Sequence, residues 1–270
     1  MPSRRSSTAG ASPSSVRARV RFSKAGKLRY ISAIDLGRVW ERALRKADLP
    51  IAYSEGFSPH PKVSFGDALP LGFGSTAEFA ELTFAGPIDL ADMTTRINAA
   101  FPDGIDVLDA AEVEDGAPRL GKRLQASMWV LEYTTADGVA EAVAAMPAEG
   151  PLEVERERKG RMVTADLRPP LVGIVADGAT VRAIVRHPGF IPDDAGSGPA
   201  VRADDVHSVL GIEHRPTLIT RAAQGLVSDD QSGIDDALRG TTTPLVPADG
   251  SPSGTATGPS VPSPAPEEPA

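Results

Sequence analysis

The sequence predicts an α+β protein made of tandem ferredoxin-like (βαββαβ) domains with disordered N- and C-terminal tails. Three observations lead to this prediction. A strictly alternating strand opens the folded part, a helix with clear boundaries follows it, and the order strand–helix–strand–strand–helix–strand then occurs twice along residues 15–227.

The first strand is the stretch Val16–Phe22, "VRARVRF", in which small or apolar residues alternate with arginines. A period of two is typical of a strand with one buried face. We expect its apolar side chains to lie under the helices of the domain. The guanidinium groups of Arg17, Arg19 and Arg21 should then face solvent on the open side of the sheet.

The first helix begins after "SAID", where Ser32 is the expected N-cap and Asp35 lies three residues later. Apolar residues from Leu36 to Ala47 recur on one stripe, and four basic residues lie off that stripe. Pro50 ends the helix, because the residue before a proline avoids the helical conformation.

The remaining elements complete two domains, at residues 15–115 and 126–227, which we expect to meet in a linker near residues 115–126, where "EDGAPRLGKRLQ" is polar and turn-rich. In the first, strands "KVSFG" and "AEFAELTFAG", helix "DLADMTTRINAAF" and strand "GIDVLDAAEV" follow in order. In the second, the order is strand "SMWVLEYT", helix "GVAEAVAAM", hairpin "LEVERERKGRMVTADL", strand "TVRAIVRH", helix "RADDVHSVLGI" and strand "PTLITRA", which is one strand more than the motif needs. Residues 1–14 and 228–270 are rich in Ser, Pro, Gly and Ala, and we expect both segments to be disordered.

Composition excludes several classes of function. The chain has no cysteine, so it has no disulfide, no thiolate metal site and no cysteine-held cluster. The spacing of its four histidines does not suggest a metal site, and no cofactor motif is present, so we expect neither metal nor cofactor. No apolar run is long enough for a membrane span, and a cysteine-free chain suits the cytoplasm.

Charge is distributed unevenly along the chain. Residues 1–75 contain 13 lysines and arginines against five acidic residues, although the whole chain has a net charge of −8. A basic face of this kind is typical of proteins that bind RNA. The basic residues of the first strand and of the turn after it are therefore candidate RNA-binding residues, and the turn contributes Lys24, Lys27 and Arg29.

Two alternatives remain open for this basic face. It could be ordinary solvated surface. It could also pack against the second domain, where Glu153, Glu155 and Glu157 alternate along a strand and could pair with the arginines.

The loop Tyr53–Gly72 also contains candidate binding residues. Pro59 and Pro61 hold His60 in a stiff extended segment, and Lys62 follows two residues later. We expect Phe57 and Phe65 to anchor this loop to the core, so that His60 and Lys62 are presented to a ligand. A catalytic role is disfavoured because no second base is evident. Glu78 and Glu81 do not form a carboxylate pair, because a spacing of three places them on opposite faces of a strand.

The stretch "VRFSKAGKLRYISAIDLGRVWERALRKADLPIAYSEGFSPHPKVSFGDALPLGFGSTAEFAEL", with a weaker block "RKGRMVTADLRP", resembles the radical-SAM-linked (radical-SAM-associated) protein family, a bacterial domain of unknown function, in its free-standing form. The resemblance covers about residues 15–225. Asp35, Phe57 and His60 match the family pattern, as do Gly56, Pro59 and Pro61. Ala33 stands where the family usually has a histidine.

The resemblance implies two possible partners, a radical-SAM enzyme or a ribonuclease of the E/G type, because family members are fused to the former or encoded beside the latter. Together with the charge pattern, it favours a non-catalytic, RNA-associated accessory protein. The alternatives are a protein-interaction module for one of those enzymes and, second, a ribonuclease-like RNA-processing enzyme that uses His60 with Lys62. No catalytic residue is assigned.

Overall fold

The computed structural model describes residues 15–158, 160–192 and 201–247. In this part of the chain, ten strands form one mixed sheet and two form a separate hairpin. The α+β class is confirmed. None of the described helices is long and apolar enough to cross a membrane.

The first half of the chain follows the predicted order of elements. A 3₁₀ helix, Gly26–Tyr30, precedes α1. The elements are β1 Val16–Lys24, α1 Ala33–Lys46, β2 Val63–Phe65, β3 Gly74–Phe84, α2 Leu90–Asn98 and β4 Val107–Glu112.

The second half contains six strands where the βαββαβ motif has four, and two further strands follow the last of these six. The elements are α3 Leu120–Arg123, β5 Ala126–Glu132, α4 Val139–Ala144, β6 Glu153–Arg158, β7 Arg161–Asp166, β8 Leu171–Asp177, β9 Thr180–Arg186, α5 Ala203–Leu210, β10 Leu218–Val227, β11 Gly233–Asp236 and β12 Thr242–Pro244.

The alternation of β1 separates the two faces of the sheet as predicted. Ala18, Val20 and Phe22 are buried in a core formed with α1 and α2, and Phe22 meets Trp40 edge to face at 5.0 Å. α1 begins where the sequence predicts, because the Ser32 hydroxyl accepts a hydrogen bond from Asp35 N at 3.1 Å.

Strand order is similar in the two halves. In the first half it is β4-β1-β3, with β2 on the other side of β3, and all these pairs are antiparallel. In the second half it is β10-β5-β9-β8, also antiparallel, and the β6–β7 hairpin lies between α4 and β8 in the chain. One short parallel pairing, Thr220 with Gly74 and Arg221 with Ser75, joins the halves into a single sheet.

The predicted start of the disordered C-terminal tail at residue 228 is wrong, because part of that segment is folded. Within residues 228–247, β11 and β12 extend the sheet beyond β10, and the side chains of Ile234 and Leu245 are buried beside Met128. Gly225 permits this pairing, because a Cβ at that position would lie 1.9 Å from the Asp235 carbonyl oxygen. Residues 1–14 and 248–270, the rest of the predicted tails, lie outside the described residues.

Candidate nucleic-acid interface

The arginines of β1 lie on the sheet face opposite α1 and α2, in rows that cross three strands. Arg17 pairs with Thr83, which in turn lies opposite Lys62, whose backbone continues the β2 register. Arg19 pairs with Glu81, which lies opposite Ser64. Cross-strand partners project from the same face of a sheet, so Lys62 and Ser64 share the arginine face.

The prediction that this whole face is open is wrong for Arg19. Its side chain is buried, with the residue 6% exposed, and its Nε donates to Glu81 Oε2 at 2.9 Å. Its guanidinium also donates to the carbonyl oxygen of Pro118, in the segment that the sequence assigned to a linker. Leu120 and Leu124 of that segment pack on Phe79 and cover the middle of the face.

Arg21 is half-buried beneath the C-terminal strands. Its Nε lies 3.6 Å from Asp236 Oδ2. The chain after β11 is held over this end of the face by Arg239, whose guanidinium donates to the two carboxylate oxygens of Asp109 at 2.9 and 3.1 Å. The acidic partners of Arg19 and Arg21 are therefore Glu81 and Asp236. They are not the glutamates of β6, which lie on the separate hairpin.

The part of the face that stays accessible is a groove between the edge of the sheet and α3. Its volume is about 630 Å³. We call it the basic groove, and its lining residues are Arg17, Ser64, Phe65, Glu81, Arg119, Leu120, Gly121, Lys122 and Phe190. Lys62 lies one strand position from the groove wall, on the same face as Ser64.

Cations outnumber carboxylates in the basic groove. Glu81 is its one carboxylate among the described lining residues, and it is shared between Arg17 at 3.2 Å and Arg19 at 2.9 Å. Arg119, Lys122 and Lys62 are exposed and make no ion pair with any described residue. The groove therefore has an excess of positive charge, which attracts polyanions.

An aromatic side chain accompanies these cations. Phe190, from the loop after β9, lines the groove on the side away from β2. Phe65 also lines the groove, but its ring projects to the helix side with Val63, where it contacts Trp40 at 5.8 Å and Phe22 at 6.4 Å. An aromatic ring beside lysines and arginines is the combination on which unpaired nucleobases stack.

Lys24 is not accessible, contrary to its assignment as a binding residue. It is 2% exposed, and its Nζ donates to the carbonyl oxygen of Ile31 at 3.1 Å. Burial lowers the pKa of this lysine, and the nearby charge of Glu78 opposes that shift. On the same side of the sheet, Glu78 and Arg221 form a buried ion pair at 3.0 Å between β3 and β10.

The other basic residues of the first turn lie at the opposite end of β1 from the basic groove. Lys27 is exposed, and Arg29 donates to Gly26 O at 3.2 Å while its guanidinium lies over the ring of Tyr30. Because β1 has nine residues, roughly 25 Å separates this turn from Arg17. The turn is not part of the same groove.

The loop candidates are dispersed as well. Phe57 is fully exposed at the tip of its loop, so the prediction that it anchors the loop to the core is wrong, whereas Phe65 does contact the core. His60 Nδ1 lies 3.2 Å from Glu41 Oε1 on α1. Asp35 belongs to a short network at the start of α1, in which a hydrogen bond from the Ser32 hydroxyl, more than the ion pair with Arg38, lowers its pKa.

His60 and Lys62 do not converge. Val63 packs into the core under the helices, so Lys62 projects to the opposite face, whereas His60 contacts α1. Among the described residues, no group of histidine and acidic side chains is arranged to hold a metal ion.

Of the predicted binding residues, Arg17 therefore lines the basic groove and Lys62 lies beside it. Sequence reasoning missed Arg119, Lys122 and Phe190. The first two were visible in the sequence as the cations of "APRLGKRL", but they lie in a segment that was assigned to a linker.

No curated protein matches this chain. A family model, DUF2344, described as an uncharacterized protein conserved in bacteria, matches residues 17–190, a range that contains all the lining residues of the basic groove. Because this match covers more than half of the chain, the protein belongs to the DUF2344 family of proteins conserved in bacteria.

Proposed function

We propose that this protein is a non-catalytic, RNA-associated accessory protein that holds a single RNA strand in the basic groove. The observation that carries the proposal is a set of three exposed cations that make no ion pair with a described residue, Arg119 and Lys122 in the basic groove and Lys62 beside it, together with the ring of Phe190. Lysine and arginine contacts to phosphates provide affinity without base specificity, and the ring provides a stacking surface.

The finer parts of this proposal concern ancestry and setting. The repeated strand order supports a description of the two halves as ferredoxin-like units, with the β6–β7 hairpin as an insertion in the second. The resemblance to radical-SAM-linked proteins supports a cytoplasmic role next to a radical-SAM enzyme or a ribonuclease of the E/G type.

Salt dependence tests RNA binding. A fluorescein-labelled oligouridine, titrated with the full chain at several NaCl concentrations, should show a log–log slope of about −2 to −3, since three or four phosphates would be neutralised at about 0.7 per contact. The triple charge reversal Lys62→Glu, Arg119→Glu and Lys122→Glu should abolish binding.

The matched control is a second triple reversal, Arg42→Glu, Arg45→Glu and Lys46→Glu. These cations are also exposed and unpaired among the described residues, but they lie on α1, across the sheet from the basic groove. The control variant should retain most of the affinity. Equal losses in the two variants would show only general attraction, and an absence of binding by the unmodified chain at low salt would refute the proposal.

One observation favours a second candidate function, the docking of a partner enzyme. Phe57 is fully exposed at the tip of its loop, and such an apolar side chain is a typical anchor for a protein interface. Phe57→Ala should leave oligouridine binding unchanged. Loss of a purified radical-SAM enzyme or E/G-type ribonuclease from a pull-down with that variant would support docking, and retention would argue against it.

A further inference from the structure

A second groove lies far from the basic groove, on the helix side of the second half. Its volume is about 460 Å³, within the range of small-molecule sites. One wall is α5, the other is the loop Leu71–Phe73, and the floor is formed by residues 216–219 at the start of β10. We call it the α5 groove.

Polar side chains of the α5 groove lie on one face of the helix. Asp204, His207 and Ser208 have the spacing i, i+3 and i+4, which places them in one row. Arg215 faces them from the loop after the helix, and it makes no ion pair with a described residue. The groove thus offers one acidic and one basic side chain; burial, followed by the charge of Asp205, raises the pKa of Asp204, and the nearby charge of Arg215 opposes that shift.

Tyr133 orients the imidazole of His207. The phenol oxygen lies 3.2 Å from His207 Nδ1, and burial raises the pKa of Tyr133 to about 12. Burial, followed by the charge of Arg215, lowers the pKa of His207. A phenol that keeps its proton donates to the Nδ1 of a neutral ring, so the Nε2–H of His207 remains as a donor for a ligand.

The floor of the α5 groove is apolar. Ile212 and Ile219 are buried beneath it, and Phe73 stands on the ring of Trp129 with centroids 6.0 Å apart. An apolar floor bordered by a few polar groups accommodates a planar ring.

The aliphatic part of Arg29 lies near the residues of this floor without lining the groove. A Cβ built on Gly74 would lie 3.7 Å from both Arg29 Cδ and Leu218 Cδ1, and Leu218 lines the groove. The aromatic ring of Tyr30 lies next to Gly72 in the opposite wall. The guanidinium of Arg29 lies over the ring of Tyr30, so Arg215 provides the guanidinium group among the described residues that line the groove.

From these contacts we propose that the α5 groove binds one guanine nucleotide. Guanine presents adjacent N–H donors on its Watson–Crick edge, which a carboxylate such as Asp204 accepts as a pair, whereas adenine and uracil lack that pair of donors. Arginine binds phosphate with charge-assisted hydrogen bonds, which assigns the phosphate to Arg215. The nucleotide can be free GMP or a guanosine 5′-phosphate at the end of an RNA strand. This proposal does not depend on RNA binding in the basic groove.

Calorimetric titration of the full chain with GMP, AMP, UMP and inorganic phosphate tests the proposal. GMP should bind saturably and about tenfold or more tightly than the other three, because only guanine satisfies Asp204. Arg215→Ala should weaken GMP binding about tenfold. Asp204→Asn, which keeps the shape of the side chain, should make the affinities for GMP and AMP similar.

Two control variants test whether GMP binds in the α5 groove and not elsewhere on the protein. Arg161→Ala removes an exposed arginine of β7 outside both grooves and should leave GMP binding unchanged. The basic-groove triple reversal should also leave it unchanged, even if that variant loses oligouridine, so the two proposals can fail separately. Competition with a short RNA that begins with guanosine 5′-phosphate distinguishes a terminal nucleotide from the free one.

Any of three results would overturn the proposal. The first is no saturable binding of GMP at millimolar concentration. The second is binding of phosphate or UMP as tight as that of GMP, and the third is GMP binding that is unaffected in both Arg215→Ala and Asp204→Asn. Circular dichroism and thermal unfolding of each variant ensure that a loss of binding reflects the groove and not the fold.

Discussion

Glu78 and Glu81 are three residues apart on β3, and each lies between two cations, but on opposite faces of the sheet. Glu78 forms an ion pair with Arg221 at 3.0 Å, and both side chains are buried. Lys24 is the second cation near it. Glu81 accepts from Arg17 and Arg19 at the rim of the basic groove, where Arg17 remains about one-third exposed.

The contrast teaches how burial divides structural charges from charges that can bind a ligand. Arg221 has further partners, the Asp67 carbonyl oxygen at 3.1 Å and the ring of Trp129 at 4.9 Å, so its cluster joins β3, β10 and the loop after β2. At the rim, Glu81 compensates Arg19, and the exposed cations of the groove make no ion pair within the part of the chain that the structure describes. We therefore expect changes at Glu78 to alter stability and changes at Glu81 to alter binding.

The largest effect is expected for Glu78→Ala. Removal of this carboxylate takes the buried ion-pair partner from Arg221 and the compensating charge from Lys24, and breaking a buried pair in this way costs about 3–5 kcal/mol. Urea unfolding followed by circular dichroism measures the loss. A loss below about 1 kcal/mol would show that the cluster is hydrated and would remove the contrast with Glu81.

Glu81→Gln should destabilise the protein less than Glu78→Ala does, and it should strengthen RNA binding. The amide still accepts a hydrogen bond from Arg19, so the free energy of unfolding should fall by about 1–2 kcal/mol. The groove loses its one described carboxylate, and oligouridine should bind several-fold more tightly at low salt. Glu55→Gln, an exposed change in the Phe57 loop, is the control. Weaker binding by Glu81→Gln would place RNA elsewhere.

Lys24→Met tests the contribution of the buried lysine near Glu78. The pKa of Lys24 is lowered in the folded protein, so wild-type stability should rise as pH increases from that lowered pKa towards 10.5, where the unfolded lysine also loses its proton. The methionine variant should lack this rise and should be as stable as wild type, or about 1 kcal/mol more stable, at pH 7. Stability curves of wild type and variant that stay parallel up to pH 10.5 would contradict the lowered pKa of Lys24.

The smallest effect concerns the contact that closes the other end of the arginine face. The hydrogen bonds from Arg239 lower the pKa of Asp109, so this contact contributes stability above about pH 4, and the contribution disappears as pH falls through the lowered pKa. Arg239 is about half exposed, so Arg239→Ala should cost less than about 1 kcal/mol at pH 7. The difference from wild type should vanish near pH 2; a difference that persists there would indicate a packing effect.

Local patterns predicted the first half well. The alternation of β1, the Ser32 cap of α1 and the opposite faces of Glu78 and Glu81 all follow from the geometry of single elements, and the structure agrees. β8 was missed because its run "LVGIVAD" does not alternate and contains Gly173, where the register with β9 shifts.

Long-range coverage could not be predicted in the same way. Whether Arg19 is buried depends on its contact with Pro118, about a hundred positions later in the chain. The exposure of Arg21 depends in the same way on Asp236. Those covering segments are polar and contain only isolated apolar anchors such as Leu120 and Ile234, which a compositional criterion reads as a linker or tail. The basic groove was therefore half predicted, through Arg17 and Lys62, and the α5 groove was not predicted at all, because its two walls are more than 130 residues apart in the chain.

The parallel pairing of Gly74 and Ser75 with β10 has a consequence for biosynthesis. The partner residues, Thr220 and Arg221, leave the ribosome about 145 residues after β3. Until then, this end of β3 has unpaired backbone groups, and such a strand edge invites pairing with other chains. Closure of the sheet must therefore come after translation of the second half, which makes the nascent chain a natural client for chaperones.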